Sequence, residues 1–185
     1  MKVESFSGFP EILFIEPPVY RDDRGFFLET YQSRRYIGSG IPEFVQDNLS
    51  CSRKNVLRGL HFQHPQGQGK LVWVPHGRVF DVAVDVRIGS PTFGRWTGRS
   101  LSSEAHQLYI PPGFAHGFVV LSDVALFAYK CTDYYDGASD RTLLWRDPSI
   151  GIEWPVADPV LSPKDRAGLT LAELAAHGNL PMYGG

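Results

Sequence analysis

The sequence lacks three features that would assign it at once to a broad class of protein. Only two cysteines, Cys51 and Cys131, stand among 185 residues, which fits a reducing compartment better than a disulfide scaffold, although a bond between them stays open. No stretch approaches the ~18 apolar residues of a membrane span, and the N-terminus lacks the apolar run of a secretion signal. The formal net charge of −2 indicates neither nucleic acid nor a membrane surface as partner. These absences predict a cytoplasmic protein.

Several common ligand-binding and nucleophile motifs are missing as well. The chain contains no GxGxxG, no Walker motif, no CxxC and no G-x-S-x-G. A phosphate-bearing ligand would therefore have to be held by separate basic side chains, for which Arg24, Arg58 and Lys164 are candidates.

Short β-rich runs, separated by many of the 19 glycines and 14 prolines, dominate the chain up to about residue 145. In the clearest run, at 79–87, Val82 and Val84 alternate with Asp81 and Asp85, which predicts a strand with one apolar and one polar face. Further strands are predicted at 71–74, 108–110, 118–121 and 124–132. Many short strands at this spacing favour a sandwich or barrel.

The C-terminal stretch changes character. Thr170 and Glu173 have the spacing of a helix capping box, and Gly178 is a typical helix stop. We therefore expect one domain over 1–185, with β structure to about 145 and a helical tail at about 162–178.

The segment around His61 places polar, reactive side chains inside strand-like sequence. His61 lies within twelve residues of Arg58, Gln63 and Lys70, more polar groups than a plain core strand carries. Strict alternation would put Arg58 on the face opposite His61. The two can share a pocket only if the strand bends, and Gly59 is the residue that would permit a bulge.

A second histidine follows a Pro-Gly turn. The spacing at 111–116 delivers His116 into a strand and matches the second half of the metal motif of cupins, a jelly-roll family. The first half is incomplete, because Gln63 stands at the second His position and residues 67–68 replace the Glu. A metal site would need an Asp or His from elsewhere in the chain.

Two further segments carry groups suited to a ligand site. Tyr129 and Tyr135 are an even number of residues apart, so an extended chain points both the same way. One could donate a proton while the other stacks on a flat ring. Arg24 stands at a turn that opens a strand, where it is either part of the turn or a clamp for phosphate or carboxylate.

Together these segments resemble the dTDP-4-dehydrorhamnose 3,5-epimerase (RmlC) family. The resemblance runs from about residue 17 to 165 and is specific because nine motifs occur in order. They are DRGFF at 23–27, QDNLS at 46–50, LRGLHFQ at 57–63, GKLV at 69–72, DVAVD at 81–85, RIGSPTFG at 87–94, IPPGFAHGF at 110–118, YKCTDYY at 129–135 and LSPKD at 161–165.

The resemblance implies an all-β, cupin-type jelly-roll fold, a homodimer, and an epimerase without metal or organic cofactor. Its substrate would be dTDP-4-keto-6-deoxyglucose, inverted at carbons 3 and 5. His61 would be the general base with Asp165 as carboxylate partner, Tyr129 the acid on the opposite face of the sugar, and Lys70 the enolate stabiliser. The resemblance also implies these substrate-binding residues: Arg24, Glu29, Gln46, Asn48, Arg58, His116, Lys164, and Tyr135 near the thymine.

Two positions qualify this assignment. Asp140 departs from the pattern, because the family often has Glu there, so one nucleotide contact differs. Asp165 follows Ser162 and Pro163 in a good helix-start pattern, so a capping role competes with the catalytic one.

Three alternatives stay open. A mono-epimerase acting at carbon 3 or 5 of a related dTDP-4-keto-6-deoxyhexose would use almost the same residues. A metal-dependent cupin enzyme would need His61, His64 and His116 together. A module that binds a nucleotide sugar without chemistry is the third, and the intact His61, Lys70 and Tyr129 set disfavours it.

Overall fold

A computed structural model describes residues 1–103 and 105–184. The strands are Lys2–Phe6 (β1), Phe9–Glu16 (β2), Val19–Asp22 (β3), Gly25–Leu28 (β4), Gln46–Arg53 (β5), Leu57–Gln63 (β6), Lys70–His76 (β7), Arg78–Asp85 (β8), Trp96–Ser102 (β9), Gln107–Ile110 (β10), Phe114–Val120 (β11), Val124–Cys131 (β12) and Asp140–Thr142 (β13). The helices are Ser33–Ile37 (α1), Pro163–Arg166 (α2) and Leu171–Ala176 (α3).

Two antiparallel sheets face each other. One has six strands in the order β1-β2-β10-β7-β12-β5, and the other has five in the order β13-β6-β11-β8-β9. Every predicted strand is present, with ends that differ from the prediction by a few residues. The all-β fold is therefore of the predicted cupin-like, jelly-roll type.

The main core lies between the two sheets. It combines side chains of the six-stranded sheet, such as Phe14, Val72 and Phe127, with side chains of the five-stranded sheet, such as Ala83 and Phe118. This apolar packing holds the two sheets together, because it removes apolar surface from water.

Strand β8 has the predicted alternation of one apolar and one polar face, and both of these faces are largely buried. Val82 and Val84 point to a second apolar cluster, where the C-terminal residues Leu174 and Leu180 cover the outer side of the five-stranded sheet. The polar face of β8 therefore points into the space between the two sheets, where Asp81 lies within hydrogen-bond distance of His116 on β11.

The predicted helix signals act as expected. Thr170 and Glu173 form the capping box that begins α3, and Gly178 takes a positive φ of 65° just after its end. Ser162 caps α2, with Pro163 in its first turn. Among the described residues, no helix is both long and apolar enough to cross a membrane.

Candidate active site

A cavity of about 310 Å³ opens between the two sheets. A smaller cavity of about 100 Å³ adjoins it and shares His61, Lys70, Tyr129 and Lys164 with it. Nine of the twelve predicted site residues line the two cavities. They are Arg58, His61, Lys70, His116, Tyr129, Lys164 and Asp165 in the larger, with Gln46 and Tyr135 added in the smaller.

A bulge in β6 brings Arg58 and His61 into one pocket, as the sequence predicted. His61 pairs with His116 of β11 while Arg58 pairs with Phe118, so two residues of β6, Gly59 and Leu60, lie opposite the single Gly117 of β11. Gly59 has a φ of 130°, and a Cβ there would lie 2.6 Å from the Cα of Gly117. Only glycine allows the strands to approach this closely, so Gly59 shapes the pocket wall.

His61 and Asp165 form a hydrogen-bonded pair at the cavity wall. Nε2 of His61 lies 2.5 Å from Oδ1 of Asp165, and the side chains are 32% and 4% exposed. Burial opposes ionisation of Asp165, but the hydrogen bonds from His61 and Ser162 outweigh it and lower its pKa. Asp165 is therefore held as a carboxylate behind the imidazole.

The capping role of Asp165 does not compete with this contact. The backbone N–H of Asp165 donates to the Ser162 hydroxyl, and that hydroxyl donates to Oδ2, while Oδ1 faces His61. Ser162 is the residue that caps α2, and Asp165, the third residue of the helix, keeps Oδ1 on the side of His61.

Tyr129 and Lys70 come from the opposite sheet. Tyr129 lies on β12 and Lys70 begins β7, whereas His61 lies on β6 of the facing sheet. Lys70 Nζ donates to the His61 carbonyl oxygen at 3.2 Å. Burial lowers the pKa of Lys70 and raises that of Tyr129. The cavity therefore has an imidazole on one wall, and a phenol and the Lys70 amino group on the other.

The floor of the cavity is aromatic. The rings of Phe118 and Phe127 stack with centroids 3.9 Å apart, and His116 stacks on Phe127 at 6.0 Å. These two phenylalanines escaped sequence analysis because they look like ordinary core residues. Their apolar faces limit water at the buried end of the pocket, which strengthens the electrostatic interactions there.

The rim is held by polar contacts around Tyr135. Its backbone N–H donates to Gln46 Oε1 at 2.8 Å, and its hydroxyl donates to Asp140 Oδ2 at 2.9 Å. Asp140 also forms an ion pair with Lys164. Asn48 does not line either cavity; it lies beside them, where it accepts a hydrogen bond from Gln46 at 3.2 Å.

Arg24 and Glu29 lie away from the cavities of their own chain. Arg24 is 88% exposed on the hairpin of β3 and β4, where it pairs with Asp22. Glu29 forms an ion pair of 2.9 Å with Arg35. The hairpin exposes three aromatic rings, those of Tyr20, Phe26 and Phe27.

The three histidines that a metal cupin would need are not brought together. His61 and His116 line the large cavity, whereas His64 lines another one with Arg87 and Pro112. In the part of the chain that the structure describes, no group of three or more His, Cys, Asp or Glu side chains could hold a metal ion.

Comparison with known proteins gives concordant results. Residues 7–173 match the family model described as dTDP-4-dehydrorhamnose 3,5-epimerase. A protein of that name from Pseudomonas aeruginosa is 54% identical over 168 residues, which are 89% of this chain and 93% of that protein. One from Neisseria gonorrhoeae is 53% identical over 171 residues, 90% of this chain, and the chain spans only 52% of its length.

A solved structure is similar over the whole chain. It is the dTDP-6-deoxy-D-glucose-3,5-epimerase RmlC of Legionella pneumophila in complex with dTDP-4-keto-L-rhamnose. The TM-score is 0.94 with 52% identity, and the match covers 100% of this chain and 99% of that one.

Proposed function

The chain belongs to the dTDP-4-dehydrorhamnose 3,5-epimerase family, and on that premise we propose that it converts dTDP-4-keto-6-deoxyglucose to dTDP-4-keto-rhamnose by inverting carbons 3 and 5. One observation carries this proposal. An imidazole with a carboxylate partner, a phenol and an ammonium line one cavity, and the imidazole and the phenol come from opposite sheets.

The reaction needs only proton transfers next to the ketone. His61 removes the proton from the carbon, and the electron pair of that C–H bond moves into the enolate. Tyr129 then gives its proton to the other face of the same carbon, which leaves an imidazolium and a phenolate that exchange protons with solvent before the next step. Asp165 fixes the tautomer of His61 and stabilises the imidazolium. Because no hydride moves, the chemistry requires no nicotinamide.

Lys70 would stabilise the enolate oxygen. Its ammonium lies in a buried part of the cavity, with one hydrogen bond to a backbone carbonyl among the described residues. An oxyanion-stabilising donor of this kind contributes ~3–4 kcal/mol to the transition state. The ammonium would therefore supply a large part of the barrier reduction.

The rim is suited to a nucleoside diphosphate. Tyr135 is 61% exposed and presents a flat ring for base stacking, while Arg58 and Lys164 supply positive charge for phosphates. Lys164 is paired with Asp140, so a bound phosphate would compete with that carboxylate for the ammonium.

The hairpin supports a homodimer as part of the proposal. Arg24 cannot serve the cavity of its own chain in the observed position, and three exposed rings surround it on a two-stranded ribbon. Pairing with a second copy would bury these rings and could bring Arg24 to the neighbouring pocket. The cytoplasmic location stays a prediction from the sequence.

Deuterium incorporation tests the function. Incubation with dTDP-4-keto-6-deoxyglucose in D₂O should place deuterium at carbons 3 and 5, with NMR showing the rhamno configuration. Deuterium at one carbon would support the mono-epimerase alternative, for which the residue set gives no distinguishing feature. Binding without exchange at either carbon would contradict the enzyme proposal for this substrate.

A further inference from the structure

A second histidine-carboxylate pair lies deeper in the same cavity wall. Nε2 of His116 on β11 lies 2.9 Å from Oδ2 of Asp81 on β8, and the side chains are only 7% and 1% exposed. The other oxygen, Oδ1 of Asp81, is buried and finds no hydrogen-bond partner within residues 1–103 and 105–184. A carboxylate in this position is costly for folding unless nearby positive charge compensates it.

We propose that Asp81 is a positioning residue for the epimerisation site: its carboxylate accepts the Nε2–H of His116, orients that ring toward the substrate, and balances the charge of Lys70. The inference rests on the proposed function. It assigns a task to a residue that lines neither cavity and that the sequence pattern placed only on the polar face of a strand.

The hydrogen bond to Asp81 determines which ring nitrogen of His116 is free to contact a ligand. With Nε2 held by Asp81, Nδ1 is the ring nitrogen left to meet a ligand, and it has no hydrogen-bond partner among the described residues. Stacking on Phe127 fixes the plane of the ring. The two contacts together leave the imidazole few alternative rotamers, so the ring that lines the cavity is held in one orientation.

The charge balance involves groups from five elements packed around Lys70. Burial lowers the pKa of Lys70, and the nearby charge of Lys164 on α2 lowers it further. Three groups raise the pKa of Lys70 and so oppose this fall: Cys131 on β12, Asp140 on β13 and Asp81 on β8. His61 on β6 supplies the carbonyl that accepts from Lys70 Nζ. Burial in turn raises the pKa of Asp81, and the charges of His116 and Lys70 oppose that rise. Asp81 and Lys70 therefore each favour the ionised form of the other.

The variant Asp81→Asn preserves the shape of the side chain and removes its charge. We expect kcat to fall about 10- to 100-fold, the range for losing a hydrogen bond to a charged group, while affinity for dTDP stays unchanged. The alkaline limb of the kcat profile should move to lower pH, because Lys70 loses a neighbouring negative charge and releases its proton more easily. A profile with an unmoved alkaline limb and a normal kcat would overturn the proposal.

Asp147→Asn is the matched control. Asp147 is also a buried carboxylate, but it accepts hydrogen bonds from Ser149 and from the backbone N–H of Leu171, outside both cavities. We expect this variant to lower stability and leave the pH profile of kcat unchanged. If Asp147→Asn shifts the profile as much as Asp81→Asn, the effect is one of folding and the proposal is wrong.

A measurement on the unaltered protein decides the matter if Asp81→Asn does not fold. In ¹⁵N NMR spectra of the imidazole groups, with the His116 signals assigned by His116→Gln, Nε2 should carry a proton from about pH 6 to 9. An unprotonated Nε2 in that range would contradict the proposal. The NMR measurement of the His116 ring does not depend on turnover. If the unaltered protein showed no deuterium exchange, that result would count against the proposed function and not against the contact between Asp81 and His116.

Discussion

The cavity and the β3–β4 hairpin both carry residues predicted to contact the substrate, yet the two regions differ in burial and in hydrogen bonding within the chain. In the cavity, His61, Asp165 and Lys70 are held by hydrogen bonds within the chain; Asp165 is buried, and His61 and Lys70 are half-buried. On the hairpin, Arg24 is exposed and contacts only its near neighbour Asp22 among charged groups of the described residues. The comparison indicates that one chain brings together the residues proposed for proton transfer, whereas Arg24 would need a second copy of the chain to reach the proposed substrate.

Removing the base should give the largest effect on the cavity side of this comparison. His61→Ala is expected to abolish deuterium exchange at both carbons, since a positioned general base contributes about 10²–10⁴-fold to rate. Binding of dTDP, measured by calorimetry, should persist because the rim is untouched. Exchange at the normal rate would show that another group removes the proton.

Removing the ammonium should have the next largest effect. Lys70→Met is expected to lower kcat about 10²–10³-fold, the cost of losing one oxyanion donor. Lys130→Met is the matched control, because Lys130 pairs with Asp47 at 2.8 Å and lines neither cavity. Equal losses in both variants, measured by steady-state kinetics, would show that the effect is not local to the cavity.

The hairpin should give the smallest effect, and mainly on binding. Arg24→Ala is expected to raise KM about 10- to 100-fold, the value of a charge-assisted hydrogen bond, with kcat little changed. Arg21→Ala on the same hairpin is the control, since that guanidinium lies over the Phe26 ring at 5.6 Å. If Arg24→Ala lowered kcat as much as Lys70→Met does, the proposed difference between the hairpin and the cavity would be wrong.

Sequence reasoning predicted the local features well because they depend on neighbours in the chain. The strands, the capping box at Thr170 and the bulge at Gly59 all follow from residue order and backbone geometry. The resemblance gave the site residues, and the structure brings most of them together. Their catalytic roles stay predictions until variants are measured.

The features that sequence reasoning missed depend on long-range packing. Asp81 was assigned only to the polar face of a strand, because the burial of that face between the two sheets cannot be read from an alternating pattern. Phe127 gave no sign of lining a pocket. The distance of Arg24 from its own cavity depends on where a hairpin projects, which no local motif encodes.

The most direct test of opposed acid and base is Tyr129→Phe in D₂O with dTDP-4-keto-6-deoxyglucose, followed by NMR. The account predicts that deuterium still enters beside the ketone, because His61 remains, while net inversion is slowed strongly because the opposite face has no proton donor. Inversion at the rate of the unaltered enzyme would contradict it and remove Tyr129 from the mechanism.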